Sequence, residues 1–344
     1  MSRKILVVPC LAIGVASLLG AASAHAADEE TKVGGKIYAD FTDITLKNNA
    51  GDKINGSGFG VDVTRAYLTF DHKFDDIWSA NVTTDFQYSS GVSATELYIK
   101  KAYIQARVSD AFIVRVGDTD TPWIPFAEGI YGFRFVEKTL TDRLGFATSA
   151  DYSVNASGKS GIFNYSVSLE NGNGYKNPTR SKRMDVEGRV GITPVTGLTV
   201  AVGGYSGKRG LESETFKPAN TASRFSGLVG YAAGPLKVGA EFFTAKNYAI
   251  VSSDLPTNKA NGFSGWASYD FEPMWGAFAR FDSAKTAKDS TPSPKDTYFN
   301  AGVVSHPRKN VDIAFAYKNE KIDGVSATAT HKRGEVGVWG QVSF

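Results

Sequence analysis

Four basic residues, Arg65, Lys101, Arg107 and Arg115, fall on the polar side of segments in which apolar and polar residues alternate. Seven more charges crowd the stretch 119–146: Arg134, Lys138 and Arg143, with Asp120, Glu128, Glu137 and Asp142. Further along, Arg183, Arg189, Arg280 and Lys318 alternate with Asp185, Glu187, Glu241, Asp282 and Asp312. Guanidinium and ammonium groups facing water attract anions, and carboxylates set opposite them create a field across the space between. That is chemistry of attraction and sorting. It breaks no bond.

Bond-breaking machinery has no footing in the chain. There is no G-x-S-x-G nucleophile turn and no H-E-x-x-H zinc site. His72, His306 and His331 lie far apart, each beside a turn or loop, which predicts solvent contact and not metal binding or catalysis. Gly56, Gly58 and Gly60 precede a strand-like segment and not a helix, so no dinucleotide fingerprint is present. No cofactor and no metal are expected.

Residues 1–26 have the form of a secretory leader: Arg3 and Lys4, an apolar run from Ile5 to Leu19, then Ala24-His25-Ala26 as a cleavage site. The apolar run is shorter than the about 20 residues that a spanning helix needs. Cys10, the one cysteine, is lost with the leader, so disulfides are excluded from the exported chain 27–344, which is expected to be one domain. Of 38 basic and 35 acidic residues, two basic ones sit in the leader, leaving a net charge of +1 and no general case for nucleic acid. Glycine at 36 of 344 residues exceeds the usual ~7%, and aromatics reach 12%, a balance suited to many strands joined by turns.

No segment after Lys32 shows a sustained 3.6-residue apolar period, whereas period-2 segments recur. In 78–88, Trp78, Ala80, Val82, Thr84, Phe86 and Tyr88 share one face; Ser79, Asn81, Thr83, Asp85 and Gln87 share the other. Such a strand rises roughly 33 Å, or about 23 Å vertically at 45°, close to the apolar band of a membrane barrel. Sixteen strands are predicted. The first eight are 32–46, 58–73, 78–88, 95–108, 111–118, 147–156, 161–170 and 182–192. The rest are 198–205, 223–232, 236–246, 261–271, 275–283, 297–305, 311–320 and 332–344. Connections after even-numbered strands are short, and most of those after odd-numbered strands are long and polar, which is the parity of an up-and-down barrel.

A sheet in hydrocarbon must close, because open edges strand peptide groups. Sixteen tilted strands then enclose water, which explains the charges on their inner faces. The last segment supports closure: Val336, Val338, Gly340, Val342 and Phe344 form an apolar face ending on an aromatic residue. It is similar to the closing strand of bacterial outer-membrane barrels, a resemblance implying that Phe344 is read by the barrel-insertion machinery. The stretch 119–146 breaks the pattern. Pro122-Trp123-Ile124-Pro125-Phe126 and Ile130-Tyr131-Gly132-Phe133-Arg134-Phe135 are too apolar for an exposed loop, so it is expected to fold into the lumen and narrow it.

Here a family likeness enters. Asp62-Val63-Thr64-Arg65-Ala66-Tyr67-Leu68, Lys101-Ala102-Tyr103-Ile104 and Arg115-Val116-Gly117-Asp118-Thr119-Asp120-Thr121-Pro122 resemble the phosphate-selective porin O and P family. So do Thr141-Asp142-Arg143-Leu144-Gly145 and Leu169-Glu170-Asn171-Gly172-Asn173-Gly174-Tyr175. The resemblance implies an outer-membrane, sixteen-stranded homotrimeric channel passing small anions along lumenal arginines and lysines. The mixed charge of 119–146 departs from a dedicated arginine constriction and argues against phosphate as the particular solute. The expected activity is passive diffusion of small hydrophilic solutes and ions, with outer-membrane lipid around the barrel. A barrel enzyme and an adhesive surface anchor are the alternatives.

Overall fold

The computed structural model describes residues 29–89, 94–252 and 257–344, so the expected leader and Cys10 lie outside the described residues. The strands are β1 (Glu30–Asn48), β2 (Gly58–Lys73), β3 (Trp78–Ser89), β4 (Ala94–Ser109) and β5 (Phe112–Asp120). Next come β6 (Ala150–Ser160), β7 (Phe163–Glu170), β8 (Asp185–Val195), β9 (Leu198–Gly207), β10 (Ala222–Ala233) and β11 (Leu236–Lys246). β12 (Lys259–Glu272), β13 (Trp275–Lys285), β14 (Lys295–Arg308), β15 (Val311–Asp323) and β16 (Thr330–Ser343) complete the set. All sixteen predicted strands are present, displaced by at most a few residues at their ends. Each pairs antiparallel with its neighbours, and β1 pairs β16 from Lys36 opposite Ser343 upward, closing the barrel.

Turns of two to four residues join the strands at one end, such as 74–77, 161–162 and 309–310; the opposite end carries long connections such as 171–184 and 208–221. The outer surface carries the apolar face of the alternation: Phe41, Val61, Leu97, Val116, Phe242 and Phe315 are all exposed. Their neighbours along the strands point inward and are mostly polar or small, with aromatics where the inward loop packs. In β11, Glu241 and Phe243 are buried while Val238 and Phe242 are exposed. The backbone of Phe344 donates to and accepts from Gly35, extending the β1–β16 seam by one residue.

Two β-bulges interrupt the alternation at the inner wall. Tyr38 pairs with Arg65 and Ala39 with Val63, leaving Thr64 as an extra residue in β2. Likewise Thr83 pairs with Lys101 and Thr84 with Ile99, leaving Lys100 as an extra residue in β4. Each bulge places two successive side chains on one side of the wall.

β5 departs early. It pairs with β4 only as far as Asp118 opposite Ala102, so residues 94–101 of β4 have β3 on one side and no strand on the other. Gly117, at φ 131°, permits this bend, since a Cβ there would stand 2.2 Å from the Ala102 carbonyl oxygen. The chain then enters the barrel through 121–149. That segment contains two short helices, α1 (Ile124–Tyr131) and α2 (Leu140–Arg143), which the search for apolar period did not anticipate. α1 spans eight residues with Pro125 in its first turn and Gly132 as its left-handed cap, too short to show a 3.6-residue repeat.

Candidate pore constriction

The segment 121–149 is fastened to one arc of the inner wall by side chains on six strands. On its first limb, the Trp123 backbone N–H donates to Glu187 Oε1 at 2.9 Å, and Trp123 Nε1 donates to Glu241 Oε1 at 2.9 Å. Arg189 Nε donates to the Pro122 carbonyl at 3.0 Å while its guanidinium lies 3.7 Å over the Phe126 ring. On the second limb, Leu140 N and Thr141 Oγ1 donate to the same Glu241 carboxylate, at 3.2 and 2.9 Å. Arg224 ties the Phe146 carbonyl to Glu187, and Arg280 ties the Lys138 carbonyl to Asp282. Arg143 of α2 reaches Asp282, Asp296 and Glu320 at 3.2, 2.5 and 2.5 Å.

Apolar packing completes the attachment. Tyr131 meets Trp266 edge-on at 5.5 Å, Phe133 stacks on Phe278 at 4.4 Å, and Phe146 lies 4.9 Å from Phe243. Trp123 and Ile124 are wholly buried. A segment that buries this much aromatic surface against a wall has a strong reason to stay there.

With that arc covered, the arc formed by β1 to β4 and β16 faces two open cavities. The outer one, of about 540 Å3, lies toward the long connections and is lined by Asp40, Asp62, Arg65, Lys138, Lys318 and Glu335 among others. The inner one, of about 570 Å3, lies toward the short turns and is lined by Lys36, Tyr67, Lys100, Lys101, Asp120 and Glu128 among others. Among the described residues Arg134 alone lines both. It therefore stands where the two spaces meet.

Arg134 is held there by carboxylates of its own segment, Glu128 at 2.5 Å and Asp142 at 3.5 Å. Burial alone would favour its neutral form, but these two carboxylates outweigh that and raise its pKa. Glu137 is likewise desolvated, yet Lys318 at 3.5 Å, together with Arg280, holds its carboxyl below the usual glutamate value. Glu137 is thus paired with one lysine, whereas Glu128 and Asp142 share the one Arg134. The field of a mixed loop opposite a basic wall is correspondingly weakened by these pairs.

The wall residues divide by height. Arg65 lies 3.6 Å from Asp85, and Lys101 pairs with Asp120 at 3.1 Å beside the inner cavity. Arg115 donates to Gln105 Oε1 at 2.8 Å. Arg107 stands elsewhere than the narrowing: it pairs with Asp110 at the short-turn rim, half exposed, and lines neither cavity. Alternation fixes which face a side chain takes, not its level along the strand. Arg143 and the Asp282, Glu187 and Glu241 carboxylates, expected as lumenal charges, act as anchors, while Arg183 lies outside β8 beside Glu212. Several residues escaped the sequence argument, among them Lys36 in the inner cavity and Asp296 and Glu320 beside Arg143. Arg224 clamps the loop from β10, and Lys100 enters the lumen through the β4 bulge.

Among the described residues no cluster of His, Cys, Asp or Glu is arranged to hold a metal ion. The barrel resembles solved outer-membrane proteins at low sequence identity. The DcaP channel of Acinetobacter baumannii aligns with a TM-score of 0.66 at 15% identity, covering 93% of this chain and 99% of that one. An anion-selective porin from Comamonas acidovorans gives 0.64 at 13%, covering 92% and 100%. OmpT of Vibrio cholerae in its trimer form gives 0.61 at 12%, covering 92% and 99%. No curated protein sequence matches. The profile of the family described as phosphate-selective porin O and P matches residues 31–330, and with the closed sixteen-stranded barrel it places this chain in that family of outer-membrane channels.

Proposed function

We propose that this chain is a passive diffusion channel for small hydrophilic solutes and ions, with a preference for anions. The observation that carries the reading is the meeting of two open cavities at Arg134, beside a basic inner wall. In the inner cavity Asp120 and Glu128 are paired with Lys101 and Arg134, and Lys36 and Lys100 remain as the surplus positive charge. A low-dielectric wall with uncompensated positive charge raises the local concentration of anions. Phosphate gains no special support, because the strongest basic groups of the loop are committed to carboxylates.

The same reading includes export with cleavage after Ala26, a single barrel over 27–344, and recognition of the Phe344 end by the insertion machinery. A homotrimer fits as well. V. cholerae OmpT is described in a trimer form. Residues 94–101 of β4 lack a second strand partner and carry Leu97, 72% exposed, an apolar stretch of wall that a second copy would cover. The test is a planar-bilayer recording under a KCl gradient. Stepwise openings with a reversal potential toward that of chloride support the proposal, and silent bilayers from folded protein would refute it.

A further inference from the structure

Strict alternation along β4 would direct Lys100 at lipid, because Lys101 already faces the lumen. A lysine at the lipid midplane costs about 2–4 kcal/mol, so the bulge that turns it inward has a physical reason. Inside, its ammonium donates to Tyr67 Oη at 2.8 Å and stands 4.3 Å over the Tyr67 ring. It shares the inner cavity with Arg134 and Glu128 and interacts electrostatically with both. Lys36 of β1 lies directly across the ladder from Tyr67 and lines the same cavity.

These two lysines differ from most other cations near the narrowing; Lys138, in the outer cavity, is likewise without an ion pair among the described residues. Arg65 is neutralised by Asp85, Lys101 by Asp120, and Arg134 by Glu128 and Asp142. Among the described residues neither Lys36 nor Lys100 forms an ion pair; the partner of Lys100 is a neutral phenol. To a passing ion, a paired charge presents a dipole whose field falls off quickly, whereas an unpaired charge presents a monopole.

We propose that Lys36 and Lys100, flanking Tyr67 beside the narrowing, are the specificity-determining residues of the channel and set its choice of anions over cations. The proposal rests on the channel reading above and names the groups that carry it out. One unit charge about 4 Å from the ion path alters the occupancy of a monovalent ion roughly fivefold in water, and the effect grows as salt is lowered.

The test is the reversal potential of single channels under a KCl gradient for the wild type, K100Q, K36Q/K100Q, K100R and the charge-conserving pair K101Q/D120N. K100Q lowers the chloride-to-potassium permeability ratio roughly 25-fold, about fivefold through each ion, the double lysine variant removes most of the preference, and K100R and K101Q/D120N keep it. K100M, whose alkyl stem still covers the Tyr67 ring, replaces K100Q if that variant fails to show the heat-modifiable folded form. Wild-type reversal potential in conducting K36Q/K100Q channels overturns the inference while leaving the channel intact. A wild-type protein that folds but never conducts overturns the channel reading and the inference with it. Loss of selectivity in K101Q/D120N equal to that in K36Q/K100Q also overturns it, since pairing would then be irrelevant.

Discussion

Glu241→Ala isolates the attachment of the inward loop from the integrity of the barrel. The Glu241 carboxylate, 2% exposed, accepts from Trp123 Nε1 on one limb and from Leu140 N and Thr141 Oγ1 on the other. All three donors belong to residues with no measurable exposure. Stranding a buried donor costs about 1–3 kcal/mol, and bonds to an ionised acceptor sit at the strong end. Three such losses, offset in part by water entering the vacated space, give about 4 kcal/mol, or roughly a thousandfold in the ratio of docked to undocked loop. The β10–β11 and β11–β12 ladders run through backbone groups and are untouched. The folded barrel should therefore persist while 121–149 becomes cleavable by protease in detergent micelles and open-channel noise rises. Glu241→Gln, which keeps one acceptor, should fall between. A Glu241→Ala protein with wild-type protease resistance and quiet openings would refute the attachment described here.

Arg134→Ser removes the side chain shared by both cavities and leaves Glu128 and Asp142 unpaired, so conductance should rise and the reversal potential should move toward potassium; unchanged values would show that the narrowing lies elsewhere. The depressed pKa of Glu137 means that its contact with Lys318 contributes fully above the ordinary glutamate value of 4.5 and is lost as pH falls through the lower folded value. Channel noise should accordingly increase only below about pH 4.5, and a rise confined to pH 6–8 would contradict the assignment. Gly117→Ala places a methyl group against the Ala102 carbonyl at a φ that L-residues resist, costing at least about 1–3 kcal/mol, and should cut the fraction of heat-modifiable folded barrel. A normal folded yield would mean that β5 bends without needing this glycine.

The strands were legible because lipid imposes a rule that sequence must obey everywhere: apolar outward, polar inward, period two. Val336, Val338 and Val342 against Glu335 and Trp339 is one instance, and the structure exposes the first three and buries the last two. The inward course of 121–149 was legible from its own Trp, Phe and Tyr content, which water would not tolerate. What alternation could not reveal was anything breaking the period. The bulges at Thr64 and Lys100 each add one residue, and a local pattern shows no sign of them except two adjacent residues that both need water, as in Lys100-Lys101. Pairing of charges was equally hidden. Arg143 meets Asp282 across 139 residues, and only closure of the barrel makes them neighbours. Hence the sequence showed the inventory of inner charges but not which were spent as anchors and which stayed open to solutes.

The most direct test of the central claim is the single-channel conductance of the barrel with residues 127–136 deleted, recorded beside the intact protein in the same planar bilayer. That deletion removes most of α1 together with Phe133 and Arg134, the group shared by the two cavities. A folded, heat-modifiable variant with clearly larger conductance and weaker selectivity is the predicted result. The same conductance from an equally well folded variant would show that this segment does not narrow the path.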